Sequence, residues 1–300
     1  MIINDSLKDL TKQLVRITTD EQRLGLCVSS AMPQIGELEE IMLLLKGLLF
    51  PGFFDRQTVS ADTRYYKTGI DLARMQELLR HQIARGFVFC RDKDESSVKT
   101  LAAEKVERFS HTLPEIKRLL LTDVEAVALR DPAVNNFGEV VFSYPAIQVM
   151  LHHRVAHVLY KLDIPIIPRI ISEMAHSKTG IDIHPAARIG EYFAIDHGTG
   201  IVIGETTIIG NHVMLYQGVT LGAKNFQYDS EGHPLNLPRH PILEDNVTVY
   251  SNASILGRIT IGHDSIIGGN VWVTENVPPC SRILQAGLRT MSDFIDGAGI

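Results

Sequence analysis

The sequence predicts an α+β chain: an all-α N-terminal part followed by a coil of short parallel strands. Two observations carry this reading. Apolar residues recur at three- and four-residue spacing up to about residue 176, and from about Ile183 they recur every six residues. Composition bounds both, since 300 residues, 45% hydrophobic and 21% charged, is ordinary globular usage with enough chain for two domains. The division is drawn as 1–176 for a helical assembly domain, 177–280 for the coil and 281–300 for a C-terminal tail.

In the helical part, Ile35, Leu38, Ile41, Met42, Leu45 and Leu48 form one apolar stripe, and Leu72, Met75, Leu78, Leu79 and Ile83 form another. Ser96-Ser97 is placed to cap a helix carrying Val98, Leu101, Ala102 and Phe109. Pro114 in a first turn opens a helix carrying Ile116, Leu119, Leu120, Val124 and Val127. Asp131-Pro132 stops it, because the residue before a proline disfavours the α region. Further helices are expected over 146–162 and 168–176, giving several short helices in all.

In the coil, Ile183, Ile189, Ile195, Ile203, Ile209, Leu215, Leu221, Leu243, Val249, Ile255, Ile261, Ile267 and Val273 keep the six-residue period. Each hexad reads as one flat side and one turn, so three sides close a coil of about 18 residues around stacked aliphatics. Gly follows at 190, 204, 210, 222, 262 and 268, and is expected, with Asn, to supply φ > 0 at the corners. A β-sandwich would instead need period two within strands and turn signals every 8–12 residues. The period breaks twice: eight residues separate Ile195 from Ile203, and 22 separate Leu221 from Leu243, where a polar loop must leave the coil.

The charge balance, Lys+Arg 29 against Asp+Glu 35 for a net −6 and no basic cluster, argues against nucleic acid as a ligand. No apolar run approaches the roughly 18 residues that span a bilayer; the best, 41–54, is broken by Lys46, Gly47, Pro51 and Gly52. Asp5 stands where an export signal would need positive charge, and Cys27, Cys90 and Cys280 are odd in number and far apart. Both point to a cytoplasmic protein with reduced thiols, without membrane partner, disulfide framework or zinc knuckle.

Sites belong where a repeat is violated. The first break holds Asp196-His197, the second ends in Arg239-His240, and Asp182 stands 15 residues before His197, just under one coil. A carboxylate beside an imidazole fixes its tautomer and prepares a general base for a hydroxyl; a surface histidine with an incidental aspartate is equally compatible with the spacing. His153 and His157 have the i, i+4 spacing of metal ligands but lie in an apolar helix, which favours packed histidines. His184, His212 and His263 share no place in the repeat, Cys280 has no base at a recognisable spacing, and Asp131 alone could be a turn residue.

The stretches DIHPAARIG (182–190), IDHGTGIVIGET (195–206), LYQGVTLGA (215–223) and PRHPIL (238–243) resemble, in order and spacing, the serine O-acetyltransferases. RDPA (130–133) and RVAHVLYKL (154–162) resemble that family's upstream segment. The likeness is strong over about 115–280 and weak over the first 110 residues. It implies a left-handed β-helix, trimers formed through the β-helices and paired into hexamers by the helical domains, and direct transfer from acetyl-CoA to L-serine with no metal. The acceptor and acetyl-CoA would meet in clefts between neighbouring β-helices. Residue by residue, it implies His197 as base and Asp182 as its partner, and Asp131 and Asp196 as carboxylates for the acceptor ammonium. It further implies Arg239 for the acceptor carboxylate, His240 as a second acceptor contact, and Ala223 and Ser251 along the pantetheine arm of acetyl-CoA. The sequence departs from the family in the acidic insertion carrying Asp229 and Glu231 after LGAKNF, and in QAGLRT (285–290), which lacks the family's proline. The end, Asp296-Gly297-Ala298-Gly299-Ile300, resembles tails that enter cysteine synthase, which implies that partner through Ile300. Competing readings are a hexapeptide acetyltransferase for another hydroxyl such as homoserine, one methylene longer, and a non-catalytic scaffold for cysteine synthase.

Overall fold

The computed structural model describes residues 5–25, 32–54, 60–90 and 95–285; Cys27 and residues 286–300, with the chain end at Ile300, lie outside them. The helices among these residues are α1 (Asp5–Val15), α2 (Thr19–Arg23), α3 (Ile35–Leu49), α4 (Ala61–Phe89), α5 (Glu95–His111), α6 (Leu113–Arg130), α7 (Phe137–Ser143), α8 (Pro145–Lys161) and α9 (Ile167–Thr179). The apolar stripes become cores: Leu38, Ile41, Leu45, Met75, Leu79 and Ile83 are fully buried where α3 packs on α4. Four expectations need correction. Helix α4 runs for 29 residues and is not short. Helix α5 starts at Glu95, so Ser96-Ser97 lies inside its first turn instead of capping it. Helices α1, α2 and α7 were not foreseen; α7 is capped by Asn136, whose Oδ1 accepts from the Glu139 N–H at 3.0 Å. Helix α9 runs through residue 176 to Thr179 and ends at Gly180 in the left-handed region (φ 70°), so the 176/177 division falls inside it.

The coil has three flat parallel faces. The first stacks β1 (Asp182–Ile183), β4 (Val202–Ile203), β7 (Thr220–Gly222), β10 (Ser254–Leu256) and β13 (Trp272–Val273). The second stacks β2 (Arg188–Ile189), β5 (Ile208–Ile209), β8 (Ile242–Leu243) and β11 (Thr260–Ile261). The third stacks β3 (Ala194–Asp196), β6 (Met214–Tyr216), β9 (Thr248–Val249), β12 (Ile266–Ile267) and β14 (Arg282–Ile283). Register follows the hexads, with Ile183 on Ile203, Leu221, Ile255 and Val273 in turn. Of the 13 aliphatics, only Ile189 is not buried, and it packs partly buried against the same core. Strand β14 carries the coil to Ile283, into the segment assigned to the tail.

The hexad glycines have a different role from the one expected. None at 190, 204, 210, 222, 262 or 268 has positive φ; a Cβ on Gly190 would sit 2.6 Å from Asn211 Oδ1 and from the Gly210 carbonyl oxygen of the next coil. They allow close approach between rungs. Positive φ at the corner between the second and third faces is borne by Tyr192, His212, Asn246, Asp264 and Cys280, with φ of 55–61°.

A buried ion pair fastens the helices to the coil. Arg154 on α8 donates through Nε and Nη2 to both Asp123 oxygens on α6, at 2.9 and 2.8 Å. The same guanidinium reaches the Ile189 and Gly190 carbonyls at 3.0 and 2.8 Å, and Asp123 accepts from the Phe193 N–H at 3.2 Å. His157 Nδ1 lies 2.8 Å from the Pro185 carbonyl oxygen and His153 is buried beside it, so this pair consists of packed histidines. No helix among the described residues is long and apolar enough to cross a membrane.

Candidate active site

The predicted site residues fall at two corners of the coil. The first lies between the third and first faces. Asp196 ends β3 and His197 follows it in the left-handed region (φ 58°), where Gly198 and Gly200 (φ 85° and 82°) accommodate the two extra residues. The imidazole is exposed, with Nε2 3.9 Å from Asp196 Oδ1. Asp131 is delivered to this corner by the proline stop that ends α6, whose last turn is tied to the coil by a bond from Arg130 to the His212 carbonyl at 2.7 Å. Tyr144 Oη donates to Asp131 Oδ2 at 2.6 Å and the Ala133 N–H to Oδ1 at 2.8 Å. These bonds, with a smaller contribution from His197, hold the Asp131 carboxyl below its usual range, and the same bond pushes Tyr144 up to about 12. An ionised Asp131 carboxylate therefore lies near enough to the imidazole to feel its charge.

Asp182 opens β1 and belongs to the same corner one coil earlier, pairing in register with Val202. No hydrogen bond joins it to His197 among the described residues. Its carboxylate instead groups with Glu173 and His176 of α9, whose donor atoms and its own lie within 4.8 Å of one another.

The second corner lies between the first and second faces. Here the loop 223–241 re-enters the coil. Arg239 Nη2 donates to Glu205 Oε2 at 2.6 Å and Nη1 to Asn236 Oδ1 at 3.1 Å. Burial works to raise the Glu205 carboxyl, but the Arg239 hydrogen bond and the charges of His184 and Arg239 outweigh it, leaving it below the usual value. Thr206 organises the turn: its Oγ1 accepts from the Arg239 and His240 backbone N–H groups at 2.9 and 3.0 Å. His240 is buried, with Nδ1 3.1 Å from the Thr206 N–H; burial, then Arg239, pushes it down to about 4, so it is neutral at pH 7. Its ring lies flat on Gly204, where any Cβ would overlap it. Ala223 begins the loop beside a cavity of about 250 Å³ lined by Lys224, Arg239, Leu256, Gly257 and Arg258, whereas Ser251 lies at the first corner, its carbonyl accepting from Asn270 at 2.9 Å.

One chain does not bring the two corners together. Strand β4 separates them, and at about 3.3 Å per residue the stretch 200–205 spans at most about 16 Å. Sequence reasoning missed Tyr144, Thr206 and Gly204 as site-shaping residues. Thr206 and Gly204 lie in the quoted stretch 195–206, but Tyr144, on the turn between α7 and α8, carries no sequence signal for its bond to Asp131.

Residues 240–275 match the bacterial transferase hexapeptide (six repeats) family. The chain is 46% identical over 272 residues to the plasmid serine acetyltransferase of Synechococcus elongatus, covering 87% of this chain and 85% of that protein. It resembles the crystal structure of serine acetyltransferase isoform 3 from Entamoeba histolytica in complex with cysteine, with TM-score 0.70, 33% identity, and 86% and 85% of the two chains covered. It also resembles soybean serine acetyltransferase complexed with serine, with TM-score 0.55, 25% identity, and 84% and 98% covered. The coil is thus a left-handed β-helix of hexapeptide repeats, and the chain belongs to the serine acetyltransferase family.

Proposed function

We propose that the chain transfers the acetyl group of acetyl-CoA to the hydroxyl of L-serine, giving O-acetyl-L-serine for cysteine biosynthesis. The observation that carries this reading is the meeting of Asp131, Asp196 and His197 at one corner, two carboxylates for an ammonium beside an imidazole for a hydroxyl. A serine hydroxyl is poorly nucleophilic at neutral pH. His197 takes its proton as the oxygen forms a bond to the thioester carbonyl carbon; the carbon–sulfur bond then breaks and His197 returns the proton to the departing thiolate. Asp182 supports the imidazolium once the exposed ring turns across the corner from the Asp196 side, since catalytic hydrogen bonds are often long before substrate binds.

Arg239 receives the serine carboxylate on the N–H groups that Glu205 leaves free, and neutral His240 offers Nε2 as a second contact. Because one face of the coil separates the two corners along one chain, the complete site is formed between two β-helices, His197 from one and Arg239 from its neighbour. Ala223 and Ser251 line the pantetheine path in the same cleft, and Lys224 and Arg258 suit the coenzyme's phosphates. This reading requires at least a trimer through the coils, paired into a hexamer by the helical domain; the tail ending at Ile300 is assigned to cysteine synthase and the chain to the cytoplasm.

The test is thiol release from acetyl-CoA with serine, homoserine and a sugar as acceptors. Serine gives the highest kcat/KM, and Arg239→Ala raises KM for serine at least about tenfold with little change in KM for acetyl-CoA. Preference for homoserine would reassign the acceptor, and equal effects on both KM values would remove Arg239 from it.

A further inference from the structure

Asp182 does not stand alone in the free chain. Glu173 and His176 lie three residues apart on α9, so they share one face of the helix, and that face is turned towards β1. Glu173 Oε2 lies 3.4 Å from His176 Nδ1, and one donor atom each from Glu173, His176 and Asp182 falls within 4.8 Å of the others. Two donors bound at about 2.1 Å to a tetrahedral ion stand roughly 3.4 Å apart. All three residues are half-buried, and the elements that carry them are locked together by the Ser172 hydroxyl, which donates to the Ile183 carbonyl. A Glu-x-x-His pair on a helix joined by a carboxylate from another element is a recurrent ligand arrangement for divalent metals. Arg169 Nη2 engages the other Glu173 oxygen, Oε1, at 2.6 Å, which leaves Oε2 for the ion and offsets part of the double negative charge.

We infer that Glu173, His176 and Asp182 form a binding site for a divalent transition-metal ion of the zinc type, and that filling it inhibits acetyl transfer by withdrawing Asp182 from His197. The inhibitory part rests on the proposed pairing of Asp182 with His197; the binding part does not. One imidazole and two carboxylates suit Zn²⁺ or Co²⁺, with water completing the shell. The ion is not needed for the reaction. It competes with it, since a carboxylate bound to a metal no longer stabilises an imidazolium.

A second cluster, His263, Asp264 and Cys280, lies exposed at the corner between the second and third faces. There His263 Nδ1 is 2.6 Å from Asp264 Oδ2. All three of its residues are exposed, whereas the α9 cluster is half-buried between two packed elements, so the α9 cluster is the better site.

The experiment titrates the full-length, untagged protein with Zn²⁺ by calorimetry and with Co²⁺ by visible absorption, and follows thiol release in the same solutions. The wild type takes up one ion per chain at this site and loses activity as it fills. His176→Ala weakens uptake by at least about tenfold, keeps full activity without metal, and resists inhibition; Glu173→Gln behaves likewise. Equal uptake by the wild type and both variants overturns the site. So does a thiolate-to-cobalt absorption band that disappears in Cys280→Ser, which places the ion on the exposed cluster. Binding at the α9 site without loss of activity overturns the inhibitory part. Should Asp182→Asn lose metal yet keep full turnover, the failure lies in the base assignment and the metal site stands.

Discussion

Replacing His197 with alanine lowers kcat by at least about 100-fold, within the 10²–10⁴ range that a positioned base contributes. KM for both substrates changes little, and each chain keeps its fold, because the His197 side chain is exposed on its own coil; light scattering on the variant checks that the oligomer is retained. The left-handed conformation at this position (φ 58°) sets the control. His197→Asn tolerates the same backbone and cannot act as a base, so it reproduces the loss without added strain. Steady-state thiol release on purified variants reads both constants, and near-wild-type turnover in His197→Asn would remove the imidazole from the chemistry.

The second large effect is on stability. Arg154→Met leaves Asp123, which has no exposed surface, as an uncompensated buried charge, and frees the Ile189 and Gly190 carbonyls from their donor. Breaking a buried pair from one side costs about 3–5 kcal/mol. The unfolding midpoint in urea, measured at fixed protein concentration, therefore falls sharply. Replacing both partners, Asp123→Leu with Arg154→Met, recovers most of the loss, since two apolar side chains leave no charge stranded. A single substitution that leaves the midpoint unchanged would show that this pair does not fasten the helices to the coil.

These effects mark how far the sequence was legible. The hexad period is a one-dimensional signal with one aliphatic per strand, so Ile183, Ile203, Leu221, Ile255 and Val273 could be stacked from spacing alone, and the structure stacks them in register. The proline after Asp131 predicted the end of α6, and that end is what carries Asp131 to the coil. Contacts between distant segments left no such trace. Asp123 and Arg154 sit in unremarkable helical runs, and only their meeting across α6 and α8 reveals the ion pair. Tyr144 and Asp131, 13 residues apart, are joined by the short α7, a helix too brief to leave a periodic stripe. The hexad glycines were read from their conformational freedom, yet they answer to neighbours on the next rung, which no local pattern records. Asp182 and His197 were placed at one corner by counting residues, while the α9 side chains that approach Asp182 came from outside the repeat.

On the proposed function, a working site takes His197 from one chain and Arg239 from another. Two variants, each crippled at one of these positions, are mixed, dissociated and reassembled, and thiol release is measured at low serine. In a cyclic trimer formed at random, about a quarter of the clefts receive an intact His197 from one variant and an intact Arg239 from the other. Activity should therefore rise from near background in each parent to about a quarter of the wild-type value. Mixed oligomers no more active than their parents would place both residues in a site within one chain and contradict the account.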